Sequence, residues 1–213
     1  FILNHLNGTQ SIGLYVLQKE LGLHGKTMAA VVDIDDKKKD LSWSGLCTEA
    51  HKISLELEKS GFLAWPCRSG SGHGIHLWML WKEPQNARYI RHILKQAVDA
   101  AKVTLNVDIF PAQDRIEDGG LGNLVALPFA RDSRPITDLQ RGTVEQDLEK
   151  WPHITPAYSA PVARQESAAQ KQNTYSHYGC ADTDTLSDAM SYTIHYLPGR
   201  PGIFPCRHIF CRW

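Results

Sequence analysis

The chain has 213 residues, enough for one good-sized core or one core with a small appendage. It is 42% hydrophobic and 22% charged, ordinary for a globular protein, and no apolar run is long enough to span a bilayer. Its 23 basic residues balance 23 acidic ones; this neither supports nor excludes nucleic acid, because phosphate binding needs a local basic patch rather than a basic protein. The start, FILNHLNG, has no basic flank and only three leading apolar residues, so no signal peptide is expected. The five cysteines (Cys47, Cys67, Cys180, Cys206 and Cys211) are odd in number and irregular in spacing. That argues against a disulfide framework and for a reducing, cytoplasmic setting.

In chain order, MAAVVDIDD over 28–36 is apolar and β-branched and then turns acidic, as expected of a buried strand whose end reaches a site. Period two puts Asp33 and Asp35 on one face with Ile34 in the core behind them, whereas Asp36 points the other way and is expected in solvent. Lys37, Lys38 and Lys39 follow. Residues 48–60 have helical spacing, with Ala50, Ile53 and Leu57 on one face and Gly61 suited to the C-terminal cap. HGIHLWMLW over 73–81 alternates as a strand: Ile75, Leu77 and Met79 face one way, His76, Trp78 and Leu80 the other. Trp78 and Trp81 are expected in packing more than in base stacking; of the two, Trp78 is the better stacking candidate because it shares the His76 face. Residues 85–101 give the clearest helix, with Ile90, Ile93, Leu94, Ala97, Val98 and Ala101 as its stripe. Arg88, Arg91 and Lys95 sit off that stripe. TLNVDIF over 104–110 and NLVALPFA over 123–130 are two more expected strands, joined by a loop containing GGLG.

The character changes near Pro156. Residues 1–157 form one expected α/β unit, 158–178 are rich in Ser, Ala, Gln and Tyr as in a linker, and 179–213 have no assignable fold. Cys206, His208 and Cys211 lack a nearby fourth ligand, so a structural zinc is not expected.

Three features carry chemistry. Asp33 and Asp35 offer paired hard oxygen donors of the kind Mg²⁺ or Mn²⁺ takes, and Asp108 ends another strand with its side chain opposite Val107 and Ile109. If the two strands are neighbours, three carboxylates converge. The turn SGSGHGIHLW over 69–78 alternates glycine with small polar residues. Gly70, Gly72 and Gly74 would let a phosphate approach backbone N–H groups, Ser69 and Ser71 add hydroxyls, and Arg68 adds a permanent charge. Two readings stand level at this point, a phosphate cradle ending in His76 or a glycine-rich hairpin with a half-exposed histidine; a third, His73 and His76 as metal ligands, ranks below them because a spacing of three does not place both on one strand face.

The ordered set VVDID, SGSGHGIHLW, VDIFPAQD and GGLGNLVALPFA resembles the archaeo-eukaryotic primase superfamily, most closely the primase-polymerases of TOTE conflict systems and their CRISPR-associated relatives. HLNGTQSIGLYVL over 5–17 also resembles the segment that precedes the aspartate pair there. The resemblance covers roughly residues 5–150. It implies an α/β (α+β) catalytic core with an RRM-like sheet beside a smaller N-terminal α/β part. It implies two divalent cations, Mg²⁺ or Mn²⁺, on Asp33, Asp35 and Asp108, and His76 at a nucleotide triphosphate. Ser69, Ser71, Gly72, Arg68, Gln113 and Asn123 are then candidate nucleotide contacts. Lys37, Lys38, Arg88, Arg91, Lys95 and Arg131 are candidate template contacts. The implied partners are single-stranded or primed DNA, ribo- or deoxynucleotides, and conflict-system or CRISPR-adaptation proteins, with no membrane. The implied reaction is template-dependent nucleotidyl transfer. Several members of the wider superfamily carry serine two places before the histidine; Gly74 stands there in this chain. Two alternatives are a metal-dependent sugar-nucleotide transferase, which also uses a D-x-D, and a non-catalytic single-strand-binding or replication-initiation module.

Overall fold

A computed structural model of the chain describes residues 1–18, 25–117, 120–147, 150 and 158–159, and the backbone of 194–196. The linker and tail expected after 158 therefore lie almost wholly outside the described residues.

Six strands form an antiparallel sheet in the order β5-β2-β4-β3-β7-β8. They are β2 (Lys26–Asp35), β3 (Trp65–Arg68), β4 (Gly74–Asn86), β5 (Asn106–Phe110), β7 (Arg134–Asp138) and β8 (Thr143–Val144). Helix α2 (Trp43–Lys59) links β2 to β3, and helix α3 (Ala87–Ala101) links β4 to β5. The chain thus runs β-α-β-β-α-β through four adjacent strands, the split βαβ connectivity of an RRM-like sheet. A second, three-stranded sheet has the order β6-β1-β9, from β1 (Ile12–Tyr15), β6 (Leu124–Ala126) and β9 (Ile194–Tyr196). A short helix α1 (Ile2–Leu6) precedes it.

Both faces of the large sheet are covered. On one, Ala30, Val32, Ile34, Ile75, Leu77 and Met79 pack with Ala50, Ile53 and Leu57 of α2 and Ile90, Leu94 and Ala97 of α3. Those are the faces that periodicity assigns, and burying them supplies the main driving force. On the other, Ala29, Val31, Cys67 and Trp78 pack with Val16 and Val125 from the side of the small sheet. Trp78 is therefore enclosed (3% exposed) and unavailable to a base, so the packing role expected of it holds and base stacking does not.

Helix ends follow local rules. Ser42 caps α2 by accepting from Gly45 N–H, six residues before the expected start at 48. Its other end is a Schellman turn: Gly61 at φ 76° donates to Glu58 O, and Phe62 donates to Leu57 O. Asn86 caps α3, accepting from Arg88 and Tyr89 N–H. The expected strand over 123–130 stops at Ala126, because Pro128 and two left-handed residues follow, Phe129 (φ 78°) and Arg131 (φ 54°). The Phe110–Pro111 peptide is cis. Tyr158 bridges to Leu80, and Ser159 donates through its N–H to Leu80 O while its hydroxyl accepts from Leu63 N–H. These two residues cover part of β4 that the short β3 leaves unpaired.

Candidate active site

The face shared by Val31 and Trp78 changes character along the strands. After Val31 come Asp33 and Asp35; before Trp78 comes His76. One row of directly opposed residues crosses the sheet there: Asp108 on β5, Asp33 on β2, His76 on β4 and Cys67 on β3. Opposed residues in antiparallel strands project to the same side. In the next row Asp35 stands between Asn106 and Gly74. Asp33, Asp35 and Asp108 are thus brought to one face, as neighbouring strands require. His76 Nε2 lies 3.2 Å from Asp33 Oδ1; the histidine side chain is 12% exposed and the aspartate 29%.

Asp33, Asp35 and Asp108 offer on one face the hard carboxylate oxygens that Mg²⁺ or Mn²⁺ takes. Cross-strand spacing separates them, and among the described residues no three His, Cys, Asp or Glu side chains group closely enough to share one ion. Asp36 departs from expectation. It is buried (6% exposed), and its carboxylate accepts Leu41 N–H at 2.8 Å, so it closes the 36–41 loop instead of facing water.

A cleft of ≈ 320 Å³ opens in front of this row. Asp33, Asp35, His76, Ser69, Ser71 and Gly74 line its sheet side; Ser11, Leu124–Leu127, Ala130, Arg131 and Ser133 line the opposite wall, with Phe110 between. Asp108, on the edge strand β5, is exposed and stands outside that lining.

The 69–74 turn is closed by Ser69 N–H to Gly74 O at 2.8 Å and Gly72 N–H to Ser69 O at 3.0 Å. Gly72 takes φ 78°, which explains glycine at that position. Ser69 and Ser71 hydroxyl oxygens are 3.0 Å apart, and Ser71 Oγ accepts His73 N–H. A Cβ on Gly74 would stand 2.9 Å from Ile34 O and 3.0 Å from Ser69 Oγ. The space for a residue-74 side chain is therefore already taken, and Ser69 brings its hydroxyl to that spot from the other end of the turn.

Other candidates separate. Arg131 reaches the cleft, whereas Arg68 uses its Nε–H on Asp132 O at 2.8 Å and braces the loop behind it. Gln113 and Asn123 are not cleft residues; Gln113 Nε2 lies near Gly122, so the FPAQD and GGLGN segments meet beside the site. Lys37 and Lys38 are exposed just past Asp35. Arg88 and Lys95 are exposed or half-exposed on α3, in the helix layer behind the sheet, and Arg91 is tied to Asp114 (3.1 Å) and Ala112 O. The structure does not bring those three to the cleft. Ser11 and Ser133 carried no sequence signal, because a lone serine in a loop has none; tertiary contact alone puts them in the wall. Burial pushes the Cys67 thiol far up and the Cys47 thiol up to about 11.

A family model described as the archaeo-eukaryotic primase domain of TOTE conflict systems matches residues 1–142. Among solved structures, the polymerase domain of Mycobacterium tuberculosis ligase D in complex with DNA is similar at 17% identity and a TM-score of 0.30. The match covers 60% of this chain and spans 40% of that one. No curated protein matches.

Proposed function

The chain belongs to the archaeo-eukaryotic primase domain family of TOTE conflict systems, and from that premise we propose that it is a template-dependent nucleotidyltransferase, a primase or DNA polymerase. The observation that carries this reading is the row Asp108–Asp33–His76, which sets acidic oxygens beside a nitrogen donor at the mouth of a cleft lined by hydroxyls. Acids alone would repel a triphosphate, and donors alone would bind an anion without activating it. Their juxtaposition suits a metal-bound nucleotide.

Asp33, Asp35 and Asp108 would hold the divalent ions. Bound there, such ions lower the pKa of an attacking 3′-hydroxyl and neutralise charge on the departing pyrophosphate. The chain's own groups do the rest. His76 Nε2, which meets Asp33 Oδ1 at 3.2 Å, would give up that contact to present its proton to an oxygen of the triphosphate, and the Ser69 and Ser71 hydroxyls with Arg131 would supply further donors. Phe110 lines the cleft and packs against the buried cluster that holds Val31 and Trp78, which would keep water from beneath the reacting atoms. The new bond joins O3′ to the α-phosphorus, the bond to the β-phosphate oxygen breaks, and the hydroxyl proton leaves to water. No covalent protein intermediate is needed, so catalysis is positioning and electrostatics. Lys37 and Lys38 would follow template phosphates, and conflict-system proteins are the expected company of such a domain.

The test is synthesis on single-stranded and on primed DNA, with ribo- and deoxynucleotide pools supplied separately, in Mg²⁺ and then Mn²⁺. Incorporation by the wild type and its loss in Asp33→Ala/Asp35→Ala is the expected result. Full synthesis by that double variant sinks the proposal, and DNA binding with no synthesis under either metal marks a binding module instead.

A further inference from the structure

The cleft wall opposite His76 is built from two distant segments, the start of the chain and the loop after β6, and one histidine joins them. His5 is 4% exposed. Its Nδ1 accepts Ile12 N–H at 3.0 Å, so Nδ1 carries no proton and the ring hydrogen sits on Nε2. Nε2 then donates to Pro128 O at 2.7 Å. Pro128 opens the loop that supplies Ala130, Arg131 and Ser133 to the cleft. That loop holds two non-glycine residues in the left-handed region, Phe129 and Arg131. Such conformations persist only where neighbours over-determine them, and they gather where a side chain must be aimed. The neighbours are present: a Cβ on Gly8 (φ 72°) would stand 3.4 Å from Arg131 N, Arg68 holds Asp132 O, and Arg134 Nη1 holds Arg131 O at 2.7 Å. Among the described residues no hydrogen bond or ion pair engages the Arg131 guanidinium, and Ser133 is 3% exposed yet lines the cleft.

We infer that His5 is a positioning residue for the incoming nucleotide: by holding Pro128 it sets Arg131 and Ser133 as a second phosphate-binding edge facing His76. This rests on the nucleotide reading of the cleft. It also gives the HLNG and LPFARDS segments one shared task, which neither states alone.

The test measures binding of ATP and dATP by calorimetry with Mg²⁺, and nucleotide KM and kcat in primer extension. His5→Ala should weaken binding roughly tenfold, as expected for a misplaced charged contact, and raise KM with kcat changed less than about threefold. His5→Gln, which keeps one donor and one acceptor, should recover most of the loss. Arg131→Ala should weaken binding similarly, and His5→Ala/Arg131→Ala should lose clearly less than the product of the two single losses, the remainder being the contact at Ser133. Trp43→Phe removes a distant hydrogen bond to Gly142 O and serves as the stability control; its KM should stay unchanged. Losses that multiply in the double variant, or a His5→Gln enzyme with wild-type lability and unrecovered KM, overturn the inference. If His5→Ala does not fold, His5→Gln and Arg131→Ala still decide it: loss on Arg131→Ala with full binding by His5→Gln supports it, and no loss on Arg131→Ala refutes it. A wild type that binds neither nucleotide removes the underlying reading itself, which is a different result from wild-type binding that ignores His5.

Discussion

His76 Nε2 meets Asp33 Oδ1 at 3.2 Å across the β2–β4 ladder, while on the other side of Asp33 the ladder sets Asp108, a like charge. One aspartate therefore has a donor on one flank and a repulsive neighbour on the other. Opposed like charges destabilise a sheet, and a site of this kind trades stability for the ability to take a cation.

Asp33→Asn keeps an oxygen for His76 and removes the repulsion. The metal-free variant should be more stable than wild type by about 0.2–1 kcal/mol, read as a small rise in Tm. Adding Mg²⁺ or Mn²⁺ should raise the wild-type Tm and leave the variant unmoved. Incorporation should fall on the order of 100-fold or more. A variant stabilised by metal as strongly as wild type would remove Asp33 from the ligand set.

Gly74→Ser tests the occupied space beside Ser69. Its Cβ would press on Ile34 O at 2.9 Å, a backbone atom that cannot step aside, and on Ser69 Oγ at 3.0 Å. Denaturant melts should show a loss of about 1–3 kcal/mol, the usual cost of overpacking. Ser69→Ala in the same chain should return only part of it, because the Ile34 carbonyl remains. An unchanged midpoint for Gly74→Ser would mean that the turn yields freely.

Template contact separates by layer. Lys37→Ala/Lys38→Ala should weaken single-strand DNA binding and flatten the plot of log K against log salt by about 0.7 for each lost phosphate contact. Arg88→Ala/Lys95→Ala, behind the sheet, should leave both affinity and slope in place. A slope changed as much by the helix pair would route the strand over α3.

The buried thiols should be inert. With the Cys47 pKa at about 11, only about one part in a thousand is thiolate at pH 8, and Cys67 has less still. Iodoacetamide at pH 8 followed by peptide mapping should leave both unlabelled in the folded protein and label both in denaturant. Labelling of folded Cys67 would show that the second core opens.

Much of this was legible in the sequence where periodicity speaks. The parity of β2 and β4 assigned Ile34, Ile75, Leu77 and Met79 to one face and the Asp33, Asp35 and His76 side chains to the other; of the α3 stripe, Ile90, Leu94 and Ala97 are buried, and Ile93, Val98 and Ala101 are partly buried against the same core. Strands that break the usual rules stayed hidden. β3 and β7 carry Pro66 and Pro135, which lack a ladder donor, and β1 carries Gly13, whose missing Cβ makes room for Leu124. Asp36 was misjudged because local pattern gives a side chain's direction, while the rest of the chain decides whether water waits there: the loop from 36 to 41 folds over it. For Trp78 the pattern left packing favoured over stacking, and the small sheet's side settles it as packing.

The irregularity between Thr27 and Ala29 has a consequence for how this chain tolerates insertions and deletions. Ahead of it, an added or lost residue is absorbed by a slightly different bulge. From Ala29 to Asp35 the ladder is unbroken, and one extra residue would turn Ile34 toward the cleft and both aspartates into the helix-side core. In that stretch length is a matter of odd and even: the spacing of the acids from the bulge is as much a part of the chemistry as the acids themselves.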